Sequence, residues 1–396
     1  MIRRLLTVLA LAAVPLASAT ATAGTATGTA TPESRVRVVA ASEPTERDAA
    51  AARVAAMSLR EKAASVVMGH IPTTDPARAA AYMSQNGLGG FILMGANVPR
   101  DEADLRALTE AMTPDAAFPP LLAIDQEGGD VSRLAWDDLP SARTLKSDAP
   151  DATRDAFAGR AALVGRAGID VNFGIVADVT ADPGMFIFRR ALGTDPQGGA
   201  ERVAAAVAGE GDQVLSTLKH FPGHGAAPGD SHAGIPQTDE SLDQWRAKDA
   251  VPFAAGIEAG APLLMFGHLR YTAVDSAPAS LSAEWHRIAR EELGFTGVSV
   301  TDDLGMLQAS GEPAYADPVA NAVQALAAGN DLVLAVVYTD QGSAARLVDG
   351  IASAVETGAL PAARLDEAAT RVAELRLERA DLGAGFQPCP SCEPAG

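Results

Sequence analysis

Residues 214–232 read VLSTLKHFPGHGAAPGDSH. The apolar and β-branched run from Val214 to Phe221 is extended-chain material. It then breaks into Gly223, Gly225, Pro228 and Gly229, a density of helix and sheet breakers that marks a shaped loop. Side chains capable of chemistry gather where the run ends: Lys219, His220, His224, Asp230 and His232. Three of the six histidines in the chain fall in this one segment.

The same pattern recurs along the chain. Short apolar runs occur as SVVMGHI near Val66, GGFILM near Phe91, PLLAID near Leu122, IDVNFGIV near Val171, PLLMFGH near Leu264, GVSVTD near Val300 and DLVLAV near Val333. With the run near Leu218 they make eight strand candidates. Ala- and Leu-rich amphipathic intervals separate most of them, including 101–112, 151–167, 200–208, 242–259 and 283–293. Eight strand–helix units predict an α/β fold, a single (β/α)8 TIM-type barrel with no second sandwich domain. An open doubly wound sheet usually carries a glycine-rich phosphate turn after its first strand, and none follows the Val66 run. In a parallel barrel the C-terminal strand ends share one face. Asp125, the 172–178 segment, Lys219 with His220, His268, and Asp302 with Asp303 would therefore converge there.

Bulk properties narrow the function. The chain has 396 residues, 47% hydrophobic and 20% charged, which suffices for a folded core. Its formal net charge of −19 disfavours nucleic acid and anionic lipid surfaces as partners. Arg3 and Arg4 precede an apolar run from Leu5 to about Ala17, followed by Ala17-Ser18-Ala19 and Ala21-Thr22-Ala23. Residues 1–23 thus read as a secretory signal peptide, too short in its apolar part to span a membrane, and predict a secreted protein without a stable membrane anchor. Residues 24–46 read as a flexible Ala/Thr-rich linker, 47–385 as the barrel, and 386–396 as a Pro-rich tail. That tail holds the two cysteines, Cys389 and Cys392, which fit a small local disulfide or two idle thiols better than a redox or zinc site.

Three motifs carry chemistry. In Asp230-Ser231-His232 the carboxylate is near enough to bond one imidazole nitrogen and fix its tautomer, and a neighbouring carboxylate favours the imidazolium, which suits His232 as a proton donor. His220, His224, His232 and Asp230 are also acceptable zinc ligands, although their glycine-broken spacing matches no familiar zinc signature. In GVSVTDDLGM, 297–306, a strand ends in Asp302 and Asp303; one carboxylate suits a glycosidase nucleophile and the other a helix N-cap, and spacing does not say which is which. In LLAIDQEGGDVSRL, 121–134, Asp125 ends a strand beside a Gly128-Gly129 turn and is placed to grip sugar hydroxyls.

The ordered set AIDQEGG, VNFGIVADV, RRALGTDP, KHFPGHG with DSH, LLMFGHLRYTAVDSAPASLS and TDDLGM resembles the β-N-acetylhexosaminidase branch of glycoside hydrolase family 3. The resemblance spans almost the whole chain behind the leader. It implies that His232, oriented by Asp230, is the proton donor and that Asp302 is the nucleophile of a retaining exo-hydrolase. It further implies that Asp125, Arg190, Lys219 and His220 bind sugar hydroxyls, with Arg133, Met265, His268 and Asp178 near the pocket. A carbohydrate substrate of the cell-wall type carrying N-acetylglucosamine, no cofactor, no metal and a monomer are expected. A glycan-binding relic without turnover and a phosphorolytic variant of the same chemistry are the alternatives. Two positions depart from the family pattern: Asp130 stands where arginine is common, and Ala226-Ala227 where Asp-Thr is common.

Overall fold

The computed structural model describes residues 45–382. The leader, all but the last residues of the linker, and the Cys389/Cys392 tail lie outside the described residues. Eight parallel strands, β1 (Val67–Gly69), β2 (Gly90–Leu93), β3 (Leu121–Ile124), β4 (Val171–Val176), β5 (Leu215–Phe221), β6 (Leu263–Phe266), β7 (Val298–Thr301) and β8 (Val333–Leu334), form one sheet. Its order is β8-β1-β2-β3-β4-β5-β6-β7, and a parallel bridge between Val300 and Leu332 closes β7 onto β8. Each strand lies within one of the eight expected runs. Strands that neighbour one another in sequence neighbour one another in space, and the ring closes, so the fold is a (β/α)8 barrel and the reversal of order that defines a doubly wound sheet is absent.

The helices that follow the strands start where local chemistry directs. Asp75, Asp195 and Asp317 each precede a proline at the first helical position and accept hydrogen bonds from amides of the opening turn. Carboxylate caps combined with a preset φ are strong start signals. The 200–208 interval is accordingly longer than expected, Pro196–Glu210. The 242–259 interval is two helices, Leu242–Ala247 and Ala250–Glu258, not one. Pro252 has no amide proton to give the carbonyl of Lys248, so it is tolerated in a first turn and not in a continuous helix. The first described helix begins at Glu46, capped by Thr45, one residue before the expected boundary. Among the described residues no helix is long and apolar enough to cross a membrane.

Strand residues alternate between two environments. Met68, Ile92, Leu121, Ala123, Val171, Phe173, Leu215, Leu263, Met265, Val298, Val300 and Leu334 fill the barrel interior together with Val372 and Leu375 of the C-terminal helix Ala362–Leu382. Their neighbours Phe91, Leu93, Leu122 and Ile124 pack outward under helices on one side, and Leu218, Phe221, Leu264 and Phe266 do so on the other. Polar residues that extend the inward series beyond these layers emerge on the C-terminal face.

The β7–β8 seam is pinned by charge. Asp331, fully buried, receives Arg290 and Arg364 at 2.6 Å each, Arg371 at 3.2 Å, and the Ser299 amide at 3.1 Å. Burial alone would raise its carboxyl, and the three guanidinium groups more than offset that, holding it below the usual carboxylate range. Removing a buried carboxylate leaves its cations without a partner, which costs more than the pair contributes in sum. Asp331→Ala is expected to lose about 3–5 kcal/mol in a urea unfolding titration; a loss no larger than that of an exposed ion pair would show that the seam does not depend on this residue.

Candidate active site

Asp302 continues the inward series of Val298 and Val300 by one step, so its carboxylate points into the mouth of the barrel. Its amide donates to the Phe266 carbonyl at 2.9 Å, fixing the strand end. The adjacent Asp303 points the other way. One of its oxygens accepts from the Gly305 amide at 3.0 Å, capping the helix Leu304–Ala309, and its two oxygens take the Val336 and Val337 amides at 2.8 Å each. The two carboxylates left indistinguishable by spacing thus have separate positions. Burial pushes Asp303 up to about 6. It would raise Asp302 too, but the His220 and His268 rings, the Asp303 amide and Lys219 hold Asp302 below its ordinary value.

His268 is occupied at both nitrogens. Nδ1 lies 2.7 Å from the Ser280 hydroxyl, and Nε2 lies 2.9 Å from the Asp303 carbonyl. This expected pocket residue therefore braces the Asp302–Asp303 turn. Met265, paired in register with Val300, forms the apolar layer below it.

Opposite Asp302 lies a network of charges. The Lys219 ammonium, 2% exposed, sits 2.8 Å from Asp125 and 2.7 Å from Glu127. Glu127 also chelates Arg190 through two bonds of 2.9 and 2.6 Å, and Arg133 approaches Asp125 at 3.5 Å. Burial opposes ionisation of Glu127, yet Lys219 and Arg190 bring it down to about 2. The same two carboxylates keep Lys219 charged against its own burial. Arg190 reaches on to His220 Nε2 at 3.3 Å, whose Nδ1 lies 2.7 Å from Asp178. Burial, aided by the Arg190 charge, drives His220 well below its ordinary value, so its ring is neutral. Asp178 further accepts the amides of His220 and His224.

Asp125, Arg133, Arg190, Lys219, His220, Met265, His268 and Asp302 are therefore brought together, with Asp178 behind them. His232 and Asp230 stand at the rim: Asp230 Oδ1 accepts the His232 amide at 2.9 Å and lies 2.7 Å from its Nδ1, with the His232 side chain 60% exposed. The paired geometry expected from Asp230-Ser231-His232 is present. Among the described residues no three His, Cys, Asp or Glu side chains converge in a way that could hold an ion. His224 is engaged instead with the Ser231 hydroxyl at 3.1 Å, within the same loop.

Glu127 was not anticipated. Its signal is its place two residues after Asp125, which puts both on one side of an extended chain. At the departures, Asp130 forms ion pairs with Arg143 and Arg189, so its reversed charge is locally balanced, and Ala227 is fully buried in the apolar cluster around Phe221 and Trp245. Behind the site, the Asn172 side chain accepts the Gln126 amide at 3.0 Å and donates to the Gln126 carbonyl and to Glu210 Oε1, the latter at 2.7 Å. Burial pushes Glu210 up to about 7.

The Glycosyl hydrolase family 3 N terminal domain model matches residues 58–375. A β-hexosaminidase of Chromobacterium violaceum is 38% identical over 276 residues, covering 67% of this chain and 76% of that protein. A β-hexosaminidase of Pseudomonas aeruginosa is 37% identical over 266 residues, covering 65% and 77%. Among solved structures, a family 3 β-N-acetylglucosaminidase from a Paenibacillus species superposes with a TM-score of 0.76 at 29% identity, over 82% of this chain and 63% of that one. Mycobacterium tuberculosis LpqI gives 0.73 at 29% identity, over 83% and 96%.

The Glu210 carboxyl makes stability depend on pH with a definite sign. The folded chain keeps a proton that the unfolded chain releases above its ordinary value of 4.5, so this contribution is complete below 4.5 and is lost as pH rises to about 7. Glu210→Gln, neutral throughout, is expected to be more stable than the parent at pH 7 by at most about 3 kcal/mol, with the difference vanishing below pH 4.5. Thermal unfolding of both proteins from pH 4 to 8 checks this, and a difference that does not change with pH would contradict it.

Proposed function

Because this chain belongs to glycosyl hydrolase family 3, and is a glycoside hydrolase, we propose that it is a retaining exo-β-N-acetylhexosaminidase. It removes terminal N-acetylglucosamine from cell-wall-type glycans outside the cell. The relatives named above, β-hexosaminidases and a β-N-acetylglucosaminidase, support the choice of sugar. The leader sequence at residues 1–23 supports export.

The observation that carries the mechanism is the division of labour at the strand end. The Asp303 carboxylate is committed to three backbone amides around it, while Asp302 faces the mouth and is held ionised. Asp302 attacks the anomeric carbon of the terminal sugar, forming a covalent glycosyl-enzyme as the bond to the leaving oxygen breaks. His232, oriented by Asp230, protonates that oxygen. A water molecule then loses its proton to His232 and displaces Asp302, which returns the enzyme to its starting state. Asp125, Lys219, Arg190, Arg133 and His220 hold the sugar hydroxyls. Their mutual pairing keeps them in place before substrate arrives, so little ordering cost falls on the binding step.

Asp302→Asn is expected to reduce hydrolysis of an aryl N-acetyl-β-glucosaminide to background. A 5-fluoro glycosyl fluoride of the same sugar is expected to leave one hexosaminyl adduct on the peptide carrying Asp302, read by mass spectrometry of a digest. Unimpaired turnover by the variant, or an adduct on another carboxylate, would overturn the assignment.

A further inference from the structure

The proton donor and the nucleophile are held in different ways. Asp302 ends a barrel strand. His232 lies on the segment after β5, and its hydrogen-bonding partner Asp230 is two residues away and itself 42% exposed. Such a pair fixes the imidazole relative to its own loop; it does not fix the loop relative to Asp302. A contact with a different element supplies that link. The Phe186 ring lies 5.7 Å from the His232 ring, centroid to centroid, at an interplanar angle of 67°. Edge-to-face pairs of this kind are favourable because the positive ring edge meets the negative ring face.

Phe186 is in turn seated on groups locked to the sugar-binding network. Its ring is 5.4 Å from that of His224, whose amide donates to Asp178 at 2.6 Å. The Arg190 guanidinium carbon, chelated by Glu127, lies 5.6 Å from the Phe186 centroid. The backbone that presents Phe186 is anchored on both sides. Ile187 is fully buried and its carbonyl accepts the Ala191 amide at 2.9 Å, while Lys146 bonds the Phe188 carbonyl and lies 4.3 Å from the centroid of its ring. The 180–190 segment after β4 thus forms a fixed platform beneath an exposed imidazole on another loop.

We infer that Phe186 is a positioning residue for the reaction: through its ring it holds the His232 imidazole in the stance from which the leaving oxygen is protonated. The inference rests on the reading of His232 as proton donor. Phe186 supplies no proton and binds no hydroxyl; it fixes the geometry of the group that does. Misplacement of a catalytic group by a fraction of its reach lowers the rate of its own step and leaves others alone.

The test compares kcat/KM for 2,4-dinitrophenyl and phenyl N-acetyl-β-glucosaminides, since the first leaving group departs without a proton and the second needs one. Phe186→Ala is expected to lower kcat/KM for the phenyl glycoside about tenfold more than for the dinitrophenyl one, whereas Phe186→Tyr retains the parent ratio. The ratio is read on a single sample, so a partly misfolded preparation cancels out. His232→Ala serves as reference and is expected to shift the same ratio further in the same direction. If His232→Ala shifts the ratio and Phe186→Ala does not, the positioning inference is wrong and the proton donor stands. If His232→Ala leaves the ratio unchanged, the reading of the donor itself is wrong.

Discussion

The site is organised around one desolvated ammonium. Lys219 continues the inward series of β5 and is 2% exposed, so removing its charge from solvent costs several kcal/mol. Asp125 and Glu127 offset that loss from β3 and the turn beyond it, and Glu127 then requires Arg190 to complete its own pairing. Each member is tolerable only because the next is present. The chain of obligations links the ends of β3 and β5 with the long segment after β4, and its Lys219 charge is one of the influences that hold Asp302 below its ordinary value.

Electrostatics also explain why two consecutive aspartates can differ so much. Asp303 is spent on backbone amides from the helix it caps and from the segment after β8. Those bonds fix the turn, and His268 braces the same peptide from β6. Asp302 accepts the adjacent Asp303 amide at 2.8 Å and takes no part in that capping. A reactive carboxylate that also carried the fold would have to break a structural bond at each turnover.

Much of this was legible in the sequence. The eight strands were readable because apolar runs of strand length ended in residues that have no place in a core, and the convergence of Asp125, Lys219, His220, His268 and Asp302 followed from barrel geometry. The break in the 242–259 helix was written in Pro252. Glu127 was available through its two-residue spacing from Asp125. The separate duties of Asp302 and Asp303 were not readable, because they are decided by the amides of Val336 and Val337, more than thirty positions away. Phe186 gave no signal either: its partners are remote in sequence, and an aromatic in a loop has no periodicity to betray its role.

The C-terminal helix Ala362–Leu382 gives the barrel more than a cover. Val372 and Leu375 reach into its interior, and Arg364 and Arg371 supply two of the three cations at Asp331. Both the floor of the cylinder and the clamp on its closing seam therefore depend on the last described element to leave the ribosome. A nascent chain lacking that helix has every strand and the Arg290 contact, yet lacks two of the three cations at Asp331 and two of the side chains that fill the interior, so the barrel is completed only after synthesis of this stretch.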